Sequence, residues 1–170
     1  MKKWMVRFLA AICCLSMLAG CGSQEGQATS GKTMKEGESV QTVVDQIAEE
    51  IGIQMPADVD DSILKDIFYL ETDQVEAYAG KMAVTMTSAD NVMAVQAKPD
   101  QVETVKEALE RRLTDVQNAF AQYLPDQSEK AQKGQVVQRG TYVFLLILGE
   151  SSDTYDSDME RAIQIIDDAF

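Results

Sequence analysis

The residue best placed to do chemistry is Cys21. It follows Leu18-Ala19-Gly20, which close an apolar run from Phe8 to Leu18 preceded by Lys2, Lys3 and Arg7. A positive start, an apolar stretch too short to span a bilayer stably and small residues before a cut describe a secretory signal peptide. A cysteine just after the cut makes it a lipoprotein signal. Leu18, Ala19 and Gly20 are then the signal-peptidase recognition residues, and the Cys21 thiol is the acylation site. The expected location is the outer face of the cytoplasmic membrane, with the membrane itself as partner through lipid on Cys21.

Other reactive groups are few. Cys13 and Cys14 leave with the signal, so the mature chain has no thiol for a disulfide, a nucleophile or a metal. The sequence contains no histidine, which excludes Ser-His-Asp and Cys-His catalysis and nearly all protein zinc sites. The densest set of oxygen ligands is Glu150, Asp153, Asp156, Asp158 and Glu160, and the candidate metal ligands are Asp153, Asp156 and Asp158. Their spacing fits no EF-hand, because Arg161 stands where that loop needs glycine. Acids in the first turn of a helix have a simpler use, complementing its dipole. No metal and no cofactor is therefore expected. Ser62-Ile63-Leu64-Lys65 satisfies the S-x-x-K pattern of serine–lysine acyl transfer, but its companions S-D-N and K-T-G are missing. No glycine-rich phosphate loop occurs. With 28 acidic residues, carboxylate pairs for glycoside hydrolysis are numerous, and spacing singles out none.

The charge balance narrows the partners. The full chain carries a net charge of −13, and the mature one is more acidic still, since Lys2, Lys3 and Arg7 precede the cut and every Asp and Glu follows it. Such a surface repels phosphate backbones and anionic headgroups, which argues against nucleic acid and against a polybasic membrane contact. It keeps a tethered protein soluble and leaves cations and basic partners as possibilities. Trp4 also leaves with the signal, so stacking on sugars would rest on tyrosines alone.

The elements that must position any site follow from periodicity. Residues 1–20 are the signal peptide. Residues 21–38, rich in Gly, Ser and Gln, form a flexible tether with a span of roughly 20–25 Å. Residues 39–170 suffice for a single α+β domain. Ser39 caps a helix with Val40, Val43, Val44, Ile47 and Ile51 on one face, ended by Gly52. Residues 58–76 fit a helical turn or a strand opening at Phe68-Tyr69-Leu70. From Tyr78 the period becomes two, with Met82, Val84 and Met86 on one face of a strand that pairs with Val92–Ala97 across a turn at 87–91. Pro99 opens a long helix whose stripe runs Val102, Val105, Leu109, Leu113, Val116, Phe120 and Tyr123, with Glu107 and Arg111 as an exposed i,i+4 pair and Pro125 as its end. That helix would be roughly 35–40 Å long.

Residues 126–134 read as a polar loop. Residues 135–139 and 141–148 read as a second hairpin turning at Gly140, and the unbroken apolar run Tyr142–Leu148 implies a strand covered on both faces. Ser157-Asp158-Met159-Glu160 forms a capping box for a last helix with Met159, Ile163, Ile166 and Phe170 inside. The expected fold is about four antiparallel strands in two hairpins, with a long crossover helix and flanking terminal helices.

Several of these stretches resemble a known family. Ala89-Asp90-Asn91-Val92-Met93-Ala94-Val95, a Pro-started helix with Arg111-Arg112, Tyr123-Leu124-Pro125, Val136-Val137 and Gly140-Thr141-Tyr142-Val143-Phe144 are similar to the domain-of-unknown-function family numbered four-three-five-eight. The resemblance covers roughly Ser39 to Leu148. It implies an exported lipoprotein of a Gram-positive bacterium and transfers no catalytic residue.

These observations favour binding over catalysis: a membrane-anchored extracytoplasmic domain with a protein or cell-envelope partner and no nucleic acid. The alternatives are a small-ligand or cation-binding accessory protein and a carboxylate-based envelope hydrolase.

Overall fold

The computed structural model describes residues 32–170, so Leu18, Ala19, Gly20 and Cys21 lie outside the described residues. The sheet is antiparallel throughout and has the order β1-β2-β3-β5-β4. Its strands are β1 (Pro56–Asp58), β2 (Val75–Ala83), β3 (Asn91–Ala97), β4 (Gln135–Arg139) and β5 (Tyr142–Ile147). Among the described residues five α-helices accompany them: α1 (Val40–Glu50), α2 (Asp61–Phe68), α3 (Val102–Phe120), α4 (Pro125–Lys133) and α5 (Tyr155–Asp168). The α+β class is as expected, with five strands instead of about four. The additional strand is three residues long and follows Met55-Pro56, which looks like a break because proline cannot donate to a ladder. It survives at the sheet edge, where Pro56 pairs with Ala83.

Alternation on β3 and β5 places two cores on opposite faces of one sheet. Met93, Val95, Val143, Leu145 and Ile147 pack with Leu64 and Phe68 of α2 and Val105, Leu109 and Val116 of α3. Val92, Ala94, Phe144 and Leu146 pack with Val43, Val44 and Ile47 of α1 and Met159, Ile165 and Ile166 of α5. Every residue of β5 is buried, so the apolar run does mark a strand covered on both faces. Among the described residues, no helix is long and apolar enough to cross a membrane.

Local chemistry explains most element boundaries. Ser39 caps α1 as expected: its Oγ accepts from the Thr42 N–H at 3.1 Å while Thr42 Oγ1 accepts from the Ser39 N–H at 2.9 Å. The ambiguous stretch 58–76 resolves as α2, capped by Asp60 and stopped by Tyr69 in the left-handed region at φ 61°. Two contacts hold Tyr69 there. Its hydroxyl donates to Asp115 at 2.5 Å, and Arg111 lies 3.7 Å from its ring centroid. Arg111 thus stacks on an aromatic face instead of pairing with Glu107.

Further boundaries, in β2, α3, α4 and α5, differ from the sequence reading. β2 starts at Val75 and ends at Ala83, so Val84 and Met86 leave the strand and stand in solvent. Val84 donates its N–H to the Met55 carbonyl at 3.2 Å, one position beyond the Pro56–Ala83 pair of β1 and β2. Pro99 does not open α3; it sits second in a turn closed by Gln101 N–H to the Lys98 carbonyl, and the 19-residue helix of about 28 Å begins at Val102. It ends at Phe120, leaving Tyr123 exposed rather than on the inner stripe. Pro125, expected only as a stop, is also the first residue of α4, which occupies the stretch read as a loop. Lastly, α5 starts at Tyr155, two residues before Ser157, so Ser157 lies inside the first turn and donates to the Thr154 carbonyl instead of capping.

Of the stretch 21–38 read as a tether, residues 32–38 are described and lie against the domain. The Lys35 N–H donates to the Ala169 carbonyl at 2.8 Å, and Met34 packs on the α1–α5 core.

Tyr78 of β2 donates its hydroxyl to the Asp61 carboxylate of α2. Burial, with the Asp61 bond added, pushes the Tyr78 phenol from 10.0 up to about 12. A raised folded value means the folded state holds the proton more tightly, so this contribution is complete below pH 10 and is lost as pH climbs toward 12. The stability difference between wild type and Tyr78→Phe should therefore shrink across that interval. Urea unfolding midpoints from pH 9 to 12 check it; a constant difference would contradict the assignment.

Candidate functional site

One end of the sheet concentrates the buried polar side chains of the described residues. The loop that joins β2 to β3 carries Ser88, Ala89 and Asp90, and Asn91 opens β3; all four are buried. Unpaired polar groups at such depth are strongly unfavourable, and each here has a partner. Asp90 Oδ1 accepts from Lys130 Nζ at 2.5 Å and Oδ2 accepts from the Gln54 N–H at 2.9 Å. The Ala89 N–H donates to Gln127 Oε1 at 3.0 Å. Gln127 and Lys130 stand three residues apart on one face of α4, so the helix presents both to the loop together.

α4 therefore has a function that its composition hides. Its buried side chains are Gln127, Lys130 and Ala131, a mostly polar inner face that no apolar periodicity announces. A weaker signal was available: Pro125 at the first position, Asp126 in the first turn and Lys130 and Lys133 in the last suit a short helix. The Gln127 side chain donates to Asp126 and holds that carboxyl below its ordinary range. The Lys130 ammonium also lies 5.6 Å from the Tyr155 ring, and Tyr155 donates to the Asp126 carbonyl at 3.1 Å. Gly149 makes room for that tyrosine: at φ 125° it occupies backbone space unfavourable to other residues, and a Cβ there would lie 2.5 Å from Tyr155 Cδ1.

Asn91 carries the network to the other side of the loop. Its Nδ2 donates to the Ala89 and Asp90 carbonyls at 2.9 and 2.8 Å, which fixes the amide, and its Oδ1 accepts from Arg112 Nε and Nη2 at 3.2 and 3.1 Å. Burial pulls the Arg112 guanidinium below its ordinary value, opposed by the charges of Asp115 and Tyr69. The Phe68 ring lies 5.6 Å away.

Two openings flank this wall. A polar cleft of about 290 Å³ has Asp90, Gln127 and Lys130 on one side and Ile51–Gln54, Gly149 and Glu150 on the other. A second groove, also of about 290 Å³, is lined by Met82, Met86, Val116, Phe120 and Tyr123, with Asn91, Arg112 and Asp115 among them. Met86 is 85% exposed and Tyr123 54% exposed at its rim.

Of the acids and the S-x-x-K pair singled out by sequence, only Glu150 borders these openings, and they do not converge. Asp156 pairs with Lys133 at 2.6 Å, Asp158 accepts the Glu150 N–H at 3.1 Å, and Asp153 sits in the turn before α5. Among the described residues, no group of three or more His, Cys, Asp or Glu side chains is placed to hold a metal ion. Ser62 faces Asp66 at 3.5 Å and Lys65 pairs with Glu71 at 2.7 Å, so the S-x-x-K residues do not form a couple. Asp90, Asn91 and Arg112 were legible only as part of the family resemblance, and Gln127 and Lys130 were not singled out.

No curated protein and no solved structure matches the chain. The family model described as a domain of unknown function, DUF4358, matches residues 49–148, which run from the last turn of α1 through β5 and include Asp90, Arg112 and Lys130, and the chain belongs to that family.

Proposed function

We propose that this is a lipid-anchored extracytoplasmic binding domain. Residues 1–20 act as signal, Cys21 carries the lipid, and the folded part takes a protein or cell-envelope ligand in the groove beside Arg112. The observation that carries the binding reading is the pairing of large exposed apolar side chains, Met86 and Tyr123, with a wall held rigid by buried hydrogen bonds. Exposed apolar surface around a concave site with a few fixed polar groups suits capture of a ligand. The charges of that wall are held in place, with Lys130 neutralising Asp90 and Asn91 orienting Arg112, and no nucleophile beside an adjacent base is found among them.

Two experiments test the two halves of the reading. Metabolic labelling with a fatty-acid analogue should tag the wild-type chain and not Cys21→Ala; a labelled variant would end the anchor assignment. A thermal-shift panel of polyamines, calcium, short peptides and cell-wall fragments should return a stabilising ligand whose effect is lost in Met86→Asp. Turnover of a panel member would overturn the non-enzymatic reading.

A further inference from the structure

Arg112 is placed unlike its counterparts. Arg139 holds Asp167 at 2.7 Å and Arg161 holds Glu50 at 2.7 Å, each a charge met by a charge. Arg112 is likewise partly buried, yet the only acceptor hydrogen-bonded to its guanidinium among the described residues is the neutral Asn91 amide, the Asp115 charge lying near it without a bond. A confined cation is ordinarily met by an anion. Asn91 engages Nε and Nη2, and Nη1 has no hydrogen-bond partner among the described residues. No buried side-chain nitrogen or oxygen among the described residues lacks a partner, so Nη1 keeps solvent access, and Arg112 is among the residues that line the groove.

The neighbouring acid specifies the complementary feature. Asp115, one turn further along α3, also lines the groove; its Oδ2 takes the Tyr69 hydroxyl, and Oδ1 has no partner among the described residues. The groove therefore offers a fixed donor and a nearby acceptor between apolar walls. A fatty acid could answer Arg112 but would bring no donor for Asp115. A peptide terminus has both, a carboxylate followed at once by an amide N–H, with its last side chains available for Met82, Met86 and Phe120.

We infer that the groove captures the free C-terminal carboxylate of an apolar-ended peptide on Arg112, with Asn91 as the positioning residue for the guanidinium. Capture of a chain terminus by fixed donors is a recurring form of peptide recognition. The inference rests on the binding reading above and deepens it.

The test is titration calorimetry of the full chain in one detergent with N-acetyl-Ala-Leu-Phe as free acid, the same peptide as its C-terminal amide, and octanoate. The free acid should bind at least tenfold more tightly than the amide and than octanoate, and the preference for acid over amide should vanish in Arg112→Gln. The comparison of acid with amide is made on wild-type protein, so it stands even where Arg112→Gln fails to fold. Equal binding of acid and amide, both lost in Met86→Asp, would overturn carboxylate capture and leave the binding groove in place. Octanoate binding as tightly as the acid would overturn the peptide occupant. Binding of none of the three would overturn the inference, and the thermal-shift panel then decides the binding reading separately.

Discussion

Lys130→Met is expected to destabilise the protein by about 3–5 kcal/mol, the usual loss when one member of a buried ion pair is removed. Both side chains are 5% exposed and the Nζ to Oδ1 distance is 2.5 Å. The methionine keeps much of the volume, so the loss isolates the charge: the Asp90 carboxylate would remain among Ala89, Gln127 and Tyr155 with only the Gln54 N–H to answer it. Adding Asp90→Asn should recover a large part of that loss, because a neutral amide can still accept from Gln54 without a buried charge. Urea unfolding followed by circular dichroism measures both variants. A loss below about 1 kcal/mol for Lys130→Met would mean that the pair behaves as a surface bridge and that α4 does not clamp the loop.

The second large effect concerns the sheet. Leu145→Ala and Leu146→Ala should each lower stability by about 2–5 kcal/mol. Consecutive residues on a strand face opposite sides, so these two probe the α2–α3 core and the α1–α5 core in turn. Both are fully buried in a strand flanked by β3 and β4. A sheet with one wet face would lose stability from only one of them. Denaturant midpoints for the pair, with unchanged slopes, check the covered-on-both-sides arrangement; a neutral effect at either position would contradict it.

The same two faces show why some of the architecture was legible and some was not. Tyr142–Leu148 could be read correctly because burial on both sides replaces alternation by an unbroken apolar run, and a segment so short seldom shows that pattern for a different reason. α1 was legible because Ser39, the valine stripe and Gly52 all agree. α4 was not, because Gln127 and Lys130 are buried for the sake of a loop forty or so residues away, and a polar inner face looks like solvent-facing chain until its partners are known. Met86 and Tyr123 misled for the opposite reason. They continue an apolar period past the end of β2 and of α3, and the chain leaves them in solvent around the groove.

The site was hidden by the same physics. A search for chemistry favours clusters near in sequence, and Glu150, Asp153, Asp156, Asp158 and Glu160 form one; in space Asp156 and Asp158 serve Lys133 and a backbone N–H. Asp90 and Lys130, or Asn91 and Arg112, come together only because β3 lies beside α3 and α4 closes over the turn. Sequence spacing contains neither distance. The groups that do converge are an ion pair, two amides and an arginine, which hold the loop in shape.

Hydrogen exchange on the full chain, with and without the free-acid peptide, tests the central claim most directly. The account predicts added protection confined to residues 82–91 and 112–123, where the β2–β3 loop and the second half of α3 border the groove. Protection centred instead on β4 and the start of α5, or added protection nowhere under conditions where calorimetry shows binding, would contradict the assignment of this end of the sheet as the binding site.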